Sequence, residues 1–299
     1  IKNTKNRRIN LQNWLKTPPG QTLLAWENDQ FEAMVADIFG YHALQLGLPD
    51  LQALHANRMP HRWVAVSELD DDAHHAVKLK ISSNIAINKI AINTDNTLAT
   101  DDILLKIKTF QADFVTDFEA LPFPENSLDL LVLPHTLELS HDPHGTLREA
   151  ERVLVPEGRL IVCCFNPLSL WGLKQKRSHL YKKFNLGELY LPEAGEFISY
   201  RRLRDWLKLL NFELESSQFG CFRPAVRSQT MLQRFAWMDK LGSSYWPILG
   251  AVYIVSAVKR VHGMRLISPI RKLSKIPNTA PVSVAGKAIN TPATAINSK

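Results

Sequence analysis

The chain has 299 residues and 45% apolar residues, a composition typical of a globular protein that excludes collagen, a coiled coil and wholesale disorder. Its net charge of +7 lies at the C-terminus: residues 259–299 hold eight Lys or Arg and no acid, leaving 28 basic and 29 acidic residues before them. A neutral body is not typical of a folded nucleic-acid-binding surface. We therefore expect a solvated basic tail, with weak contact to RNA or an anionic membrane as the alternative.

The sequence favours a cytoplasmic protein without a stable membrane insertion. No stretch reaches the roughly 18 uncharged apolar residues that cross a bilayer, and the longest apolar stretch, 245–258, contains Pro247 and Gly250. Three cysteines provide no disulfide framework, and residues 1–16 lack the apolar core of a secretory signal. The cysteines and histidines do not fall at zinc-site spacings, so no metal site is predicted.

The first third of the chain predicts one helix and two strands. Apolar residues recur at helical spacing between residues 24 and 38, and Gly40 ends this pattern. His42–Leu46 and Arg62–Val66 are short apolar runs of the length typical of strands. The acidic and Ile/Asn-rich residues after them, about 69–110, are interpreted as an insertion.

The middle of the chain predicts a buried sheet. Residues 112–116 are strand-like, and the nearly continuous apolar runs 128–133 and 159–165 predict adjacent parallel strands that are buried on both faces. Cys163 and Cys164 then point to opposite faces of that sheet. A helix between the two runs is indicated by apolar residues from Leu147 to Leu154.

The last third predicts a helix followed by two antiparallel strands. Apolar residues at helical spacing over 203–210 precede an alternating strand at 212–217, and 250–258 reads as the final strand beside it. Beyond residue 277 there is no apolar periodicity, which favours disorder. Alternating strands and helices of this kind indicate an α/β sheet with helices on both faces.

Ligands of such sheets bind at the carboxyl ends of the strands, so the residues that follow each apolar run are the candidates for a site. These residues are Gly47, Glu68, Asp117 with Phe118, Pro134 with His135 and Thr136, and Asn166.

A family resemblance rests on residues 113–172. In order, this segment holds Asp117 before Leu-Pro-Phe at 121–123, Leu-Asp-Leu-Leu at 128–131, the run His135 to Pro143, and the run Leu147 to Leu160. In this combination the segment resembles the class I S-adenosylmethionine-dependent methyltransferases, in particular the type 11 methyltransferase domain. The opening and the Phe-Asn-Pro-Leu-Ser-Leu-Trp segment resemble an uncharacterised bacterial subgroup. The resemblance implies a Rossmann-like, mostly parallel seven-stranded sheet.

The resemblance also implies a cofactor and its contacts. Asp117 and the backbone of Phe118 stand where the family binds the adenine of S-adenosylmethionine, and Glu68 stands near the position of the acid that binds the ribose. Gly47, Pro134 and His135 would line the remainder of the cofactor, and His135 is also a candidate base. The alternative roles are a turn or helix cap for Asp117, an exposed loop residue for Glu68, and, for His135, a strand-end residue that is hydrogen-bonded to the backbone.

The sequence departs from the family at the glycine-rich loop. Of that loop only Gly47 remains, and Leu48 and Pro49 follow it. We therefore carry two hypotheses: a methyltransferase that acts on an unknown acceptor with an unknown catalytic residue, and a non-catalytic binding or scaffold relative. The predicted organisation is a helical N-terminal extension at 1–40, a methyltransferase-like domain at 41–266 and a basic, disordered tail at 267–299.

Overall fold

A computed structural model describes residues 10–67, 112–182, 190–192 and 197–261. These residues belong to one compact unit, Ile1–Val261. Glu68, the insertion at about 69–110 and the tail at 267–299 lie outside the described residues, so the predictions made for them remain predictions.

The centre of the fold is a seven-stranded sheet with the strand order β3-β2-β1-β4-β5-β7-β6. All its neighbours run parallel except β7, which is antiparallel to both β5 and β6. The strands are β1 His42–Leu46, β2 His61–Val66, β3 Phe114–Val115, β4 Leu128–Pro134, β5 Leu154–Phe165, β6 Phe212–Gly220 and β7 Val252–Lys259. The prediction of a mostly parallel, seven-stranded class I methyltransferase sheet is therefore confirmed.

Helices cover both faces of the sheet, as predicted. Residues 10–15 are helical. The helices that follow are α1 Pro18–Val35, α2 Thr136–Leu139, α3 Pro143–Val153, α4 Leu170–Lys182, α5 Tyr200–Leu209, α6 Gln229–Arg234 and α7 Trp237–Tyr245, with a 3₁₀ turn at Pro247–Leu249. The two faces bury separate apolar cores, and Cys163 belongs to one and Cys164 to the other. The strand alternation of their side chains was predicted correctly.

The local sequence explains where the helices begin. Pro18 and Pro19 start α1 because proline tolerates the first helical turn, where its missing N–H has no intrahelical partner. Asp142 caps α3 by accepting a hydrogen bond from the backbone N–H of His144 at 3.0 Å, and Pro143 follows it. The hydrogen bond that Asp142 accepts from the backbone of Gly145 is the main cause of its lowered pKa. α3 therefore starts at a fixed point after β4.

Several strand predictions differ from the structure in length. β5 begins five residues earlier than predicted, at Leu154, and β6 ends three residues later than predicted, at Gly220. The strand expected at 112–116 is reduced to Phe114–Val115, because only these two residues pair with β2, through Ala65 and Val66. The final strand begins two residues later than expected, at Val252, after the 3₁₀ turn. No prediction was made for α6, α7 and this turn.

Candidate functional site

The carboxyl ends of four strands meet around one cavity. Gly47 comes directly after β1, Val66 ends β2, Phe118 follows β3 and Thr136 follows β4, and all four line the cavity. Its other lining residues are Gln12, Leu48, Pro49 and Leu139. This is the position at which open α/β sheets bind their ligands.

Gly47 allows the chain to turn away from β1 beside this cavity. Its φ is +78°, in the left-handed region that favours glycine. A side chain at this position would meet the hydroxyl of Thr136 at 3.4 Å and the ring of Phe118 at 3.6 Å. The glycine thus keeps open the space between the ends of β1 and β4.

Gln45 holds the altered loop that follows Gly47, and the sequence analysis missed it. Its buried amide nitrogen donates to the carbonyls of Gly47, Leu48 and Leu51 at 3.3, 3.0 and 2.7 Å. Its amide oxygen accepts from the backbone N–H of Ala53 at 3.2 Å. A polar residue inside an otherwise apolar strand is the signal that could have revealed it, because a buried amide needs partners.

Asp117 and Phe118 have different environments at the end of β3. Phe118 is 3% exposed and lies against Gly47. Asp117 is exposed, and its carboxylate accepts a hydrogen bond from the backbone N–H of Glu119 at 3.1 Å. The turn role considered for Asp117 is therefore present, and its exposed carboxylate also stands beside the residue that lines the cavity.

His135 lies in a buried, charged network. Its Nε2 is 2.8 Å from a carboxylate oxygen of Glu27 on α1, and its Nδ1 is 2.9 Å from Glu138 on α2. Glu138 also accepts a hydrogen bond from the backbone N–H of Phe165 at 2.6 Å. Neither ring nitrogen of His135 is left for a cofactor, and its side chain does not line the cavity.

The charges of this network favour a protonated histidine. Burial alone would lower the pKa of His135, but the negative charge of Glu27 and hydrogen bonds to Glu138 and Glu27 outweigh it and raise that pKa to about 10. Burial raises the pKa of Glu138, and the hydrogen bond from His135 opposes this. Among the described residues, Glu27 Oε2 has no hydrogen-bond partner.

Cys163 adjoins the same network. Its Sγ lies 3.4 Å from Glu27 Oε1 and 3.9 Å from His135 Nε2, and burial raises the pKa of its thiol. The three potential ligand atoms of Glu27, His135 and Cys163 lie within 4.8 Å of one another, a spacing that could hold a metal ion. The prediction of no metal site remains a prediction.

The predicted site residues therefore separate into groups. Gly47 and Phe118 come together at the cavity, with Asp117 adjacent in sequence. Pro134 is buried at the end of β4, where it pairs with β5, and His135 belongs to the charged network. Sequence reasoning also missed Glu27, although it lies four residues from both Leu23 and Phe31 on the buried side of α1.

Comparison with known proteins gives a family match for part of the chain. Residues 79–162 match the family described as methyltransferase domain. The uncharacterized protein YafS of Escherichia coli (strain K12) is 34% identical over 158 residues, which cover 52% of this chain and 58% of that protein. The ubiquinone/menaquinone biosynthesis C-methyltransferase UbiE of Ruegeria sp. (strain TM1040) is 34% identical over 114 residues, which cover 38% and 44%.

Among solved structures, a chain from the complex between the Haloferax volcanii Trm112 methyltransferase activator and the putative methyltransferase superposes on this chain with a TM-score of 0.51 at 15% identity. The alignment covers 86% of this chain and 99% of that one. At this identity the likeness shows the fold alone.

The fold is that of the class I methyltransferases, with the reversed strand β7 inserted between β5 and β6. The match of residues 79–162 to the methyltransferase domain family agrees with the resemblance seen in the sequence. It spans less than two thirds of the length of the two bacterial relatives.

Proposed function

We propose that this chain is an S-adenosylmethionine-dependent methyltransferase whose acceptor is not yet assigned. The observation that carries the proposal is the meeting of four strand ends at Gly47, on the fold whose family uses this edge for its cofactor. A side chain at Gly47 would contact Thr136 and Phe118, which line the same cavity.

The residues present fit the adenosine part of the cofactor. Val66 and Phe118 supply apolar walls for a flat base, and the exposed carboxylate of Asp117 can accept a hydrogen bond from the adenine amine. Glu68, two residues after β2 ends, is the proposed ribose ligand.

The part of the proposed site that would hold the methionine of the cofactor has to change conformation when the cofactor binds. The enclosed space between Leu48, Gln12 and Thr136 is about the size that holds one water molecule. Leu48 has a φ of +40° and is 5% exposed, so it is both strained and packed into this space. We expect Leu48 or the helical residues 10–15 to move when the cofactor enters.

The bound cofactor would supply an activated methyl group on its sulfonium. The chain's own residues then have to hold the acceptor in line and exclude water, and such positioning contributes up to about 7–11 kcal/mol to lowering a reaction barrier. The proposed reaction therefore does not depend on a protein nucleophile. Nor does it depend on His135 as a base, because both ring nitrogens of His135 are bonded to carboxylates.

A second candidate is a non-catalytic relative that has kept the fold. The small enclosed space and the packing of Leu48 favour it. Isothermal titration with S-adenosylmethionine and S-adenosylhomocysteine separates the two candidates. The methyltransferase proposal expects saturable binding of both. No heat with either compound at about 1 mM, a concentration that detects even weak sites, would support the non-catalytic candidate.

A further inference from the structure

Exposed apolar side chains are concentrated in one part of the described surface. Of fourteen large, exposed apolar residues, ten lie in the connection after β5 or in the connection between β6 and β7. We call these ten the apolar patch: Leu168, Leu170, Leu173, Met231, Trp237, Leu241, Tyr245, Trp246, Ile248 and Leu249. Single exposed apolar residues are ordinary, but a group of ten marks an interaction surface.

Helix α7 turns its apolar stripe outward. Trp237, Leu241 and Tyr245 are spaced four residues apart and therefore lie on one side of the helix. All three are exposed, and the buried residue of this helix is Gly242. A helix that packs its apolar stripe on a core would show the opposite arrangement.

Hydrogen bonds hold the two connections together as one surface. The side-chain amide of Asn166 donates to the carbonyls of Ile248 and Gly250 at 2.7 and 2.9 Å. The indole N–H of Trp171 donates to the carbonyl of Arg223 at 2.7 Å, and Lys174 donates to that of Ala225. The leucines after β5 therefore adjoin the residues around the 3₁₀ turn.

The parts of these two connections that carry the apolar patch are basic. Residues 168–178 and 221–249 hold seven Lys or Arg and one acid, whereas residues 1–258 as a whole are close to neutral. The acid, Asp239, is bonded to the guanidinium of Arg223 at 2.7 Å and to the backbone N–H of Phe222 at 2.9 Å. The residues around the apolar patch thus carry a net positive charge.

We propose that the apolar patch docks on the surface of an anionic lipid membrane. Trp and Tyr prefer the boundary between headgroups and acyl chains, and neighbouring Lys and Arg are attracted to anionic lipids. Within the described residues no helix is long and apolar enough to cross a membrane, so the attachment is peripheral. Since β5 and β6 end at this edge together with β1, β2 and β4, docking turns the candidate site toward the bilayer.

Charge favours an anionic membrane over a second copy of the chain as the partner of the apolar patch. Two patches with the same excess of positive charge repel each other, which disfavours a symmetric dimer through this surface. An anionic membrane complements both the apolar residues and the charge.

The test is co-sedimentation of the full chain with vesicles of phosphatidylcholine, alone or mixed with phosphatidylglycerol. We expect binding to the mixed vesicles that weakens with added salt, and little binding to phosphatidylcholine alone. The triple variant Trp237→Ser/Tyr245→Ser/Ile248→Ser should lower partitioning at least about tenfold. The control Phe39→Ser/Tyr41→Ser/Leu209→Ser changes three apolar residues elsewhere that are each at least 70% exposed, and it should bind like the wild type.

Further variants test which residues meet the lipid. Replacing Lys176 and Lys240 with Gln should weaken binding by about fivefold for each charge, whereas Arg271→Gln/Lys272→Gln/Lys275→Gln in the tail should weaken it less. Brominated lipid should quench tryptophan fluorescence in the wild type, and Trp237→Phe/Trp246→Phe should remove most of that quenching while the chain still binds.

Several outcomes would overturn the proposal. They are equal binding to neutral and anionic vesicles, loss of binding in the tail variant but not in the patch variant, and equal losses in the patch and control variants. A dimer in light scattering that the patch variant dissociates would also overturn it, in favour of a second copy. None of these results depends on methyl transfer.

Discussion

The neighbouring strands β1 and β4 end in opposite ways, although both ends were predicted to contact a cofactor. β1 leads into Gly47, which has no side chain and borders a cavity. β4 leads into His135, whose buried ring lies between the carboxylates of Glu27 and Glu138. We call the end of β1 the open end, because it provides space, and the end of β4 the closed end, because it provides fixed charge.

This difference indicates that the end of β4 contributes to stability and the end of β1 to binding. The network at His135 joins α1 to the turn after β4 and, through Glu138, to the end of β5. A hydrogen bond from Thr136 to the carbonyl of Leu46, at 2.5 Å, then links the end of β4 to that of β1. We therefore expect substitutions at His135 to change stability first, and substitutions at Gly47 to change binding first.

The largest effect is expected at His135. His135→Leu leaves two buried carboxylates without their cation, and breaking a buried ion pair in this way costs about 3–5 kcal/mol of unfolding free energy. Urea unfolding followed by circular dichroism measures this. The exposed control His141→Leu should stay within about 0.5 kcal/mol of the wild type. If His135→Leu lowered the free energy of unfolding by less than about 1 kcal/mol, the network would not stabilise the packing of α1.

Gly47 is the matching test at the open end. Gly47→Val places a branched side chain between Thr136 and Phe118, and we expect the affinity for S-adenosylmethionine to fall by at least about 100-fold, or roughly 2.7 kcal/mol. Because φ is +78°, the variant should also lose about 1–2 kcal/mol of stability. Titration and thermal melting measure the two effects.

A control separates backbone strain from blocked space. Asn211 is exposed after α5 and has a φ of +60°, far in sequence from the cavity-lining residues. Asn211→Val should lose similar stability without any change in cofactor affinity. If Gly47→Val binds the cofactor as well as this control does, Gly47 is not part of the site.

The open end could be predicted from the sequence and the closed end could not. The signal at the open end is local, because an apolar run stops and Gly47 follows it. Glu138 lies three residues from His135, but the other partner, Glu27, lies 108 residues away on another element, and no local pattern joins Glu27 to His135. The acidic residue on the buried side of α1 was the available signal, because a buried carboxylate needs a partner.

The outward stripe of α7 was missed for a similar reason. Trp237, Leu241 and Tyr245 have the spacing of a buried helix face, and only the tertiary structure shows that nothing among the described residues covers them. Periodicity predicts which residues share a face of a helix but not whether that face is inside.

Asp117 tests the adenosine side with a smaller expected effect. Asp117→Ala removes a hydrogen bond to a charged acceptor and should weaken cofactor binding by about 1.5–3 kcal/mol. The backbone N–H of Glu119 loses its partner as well, but it is exposed and can bond to water, so the fold should survive. Calorimetric titration is the measurement, and Glu119→Ala, which keeps the Asp117 carboxylate, is the control. Unchanged affinity in a folded Asp117→Ala protein would remove this residue from the site.

The smallest effect is a pH dependence of stability that belongs to the closed end alone. The pKa of His135 is raised from 6.5 to about 10 in the folded chain, so its stabilising contribution is complete below pH 6.5 and is lost as pH rises toward 10. The raised pKa of Glu138 acts in the same direction. A single such group gives a slope of at most about 1.4 kcal/mol per pH unit.

Between pH 6.5 and 8 the unfolding free energy should therefore fall in the wild type. This window avoids most of the titration of the buried thiols, whose raised pKa values would add a loss of the same sign at higher pH. Urea unfolding at several pH values measures the slope, and the triple variant Glu27→Gln/His135→Gln/Glu138→Gln should flatten it because every titrating group of the network is gone. Gly47→Val should keep the wild-type slope, since it leaves the network intact. An equal slope in the wild type and the triple variant would show that His135 is not held as a cation between the two carboxylates, and the distinction between the two strand ends would then be one of packing rather than charge.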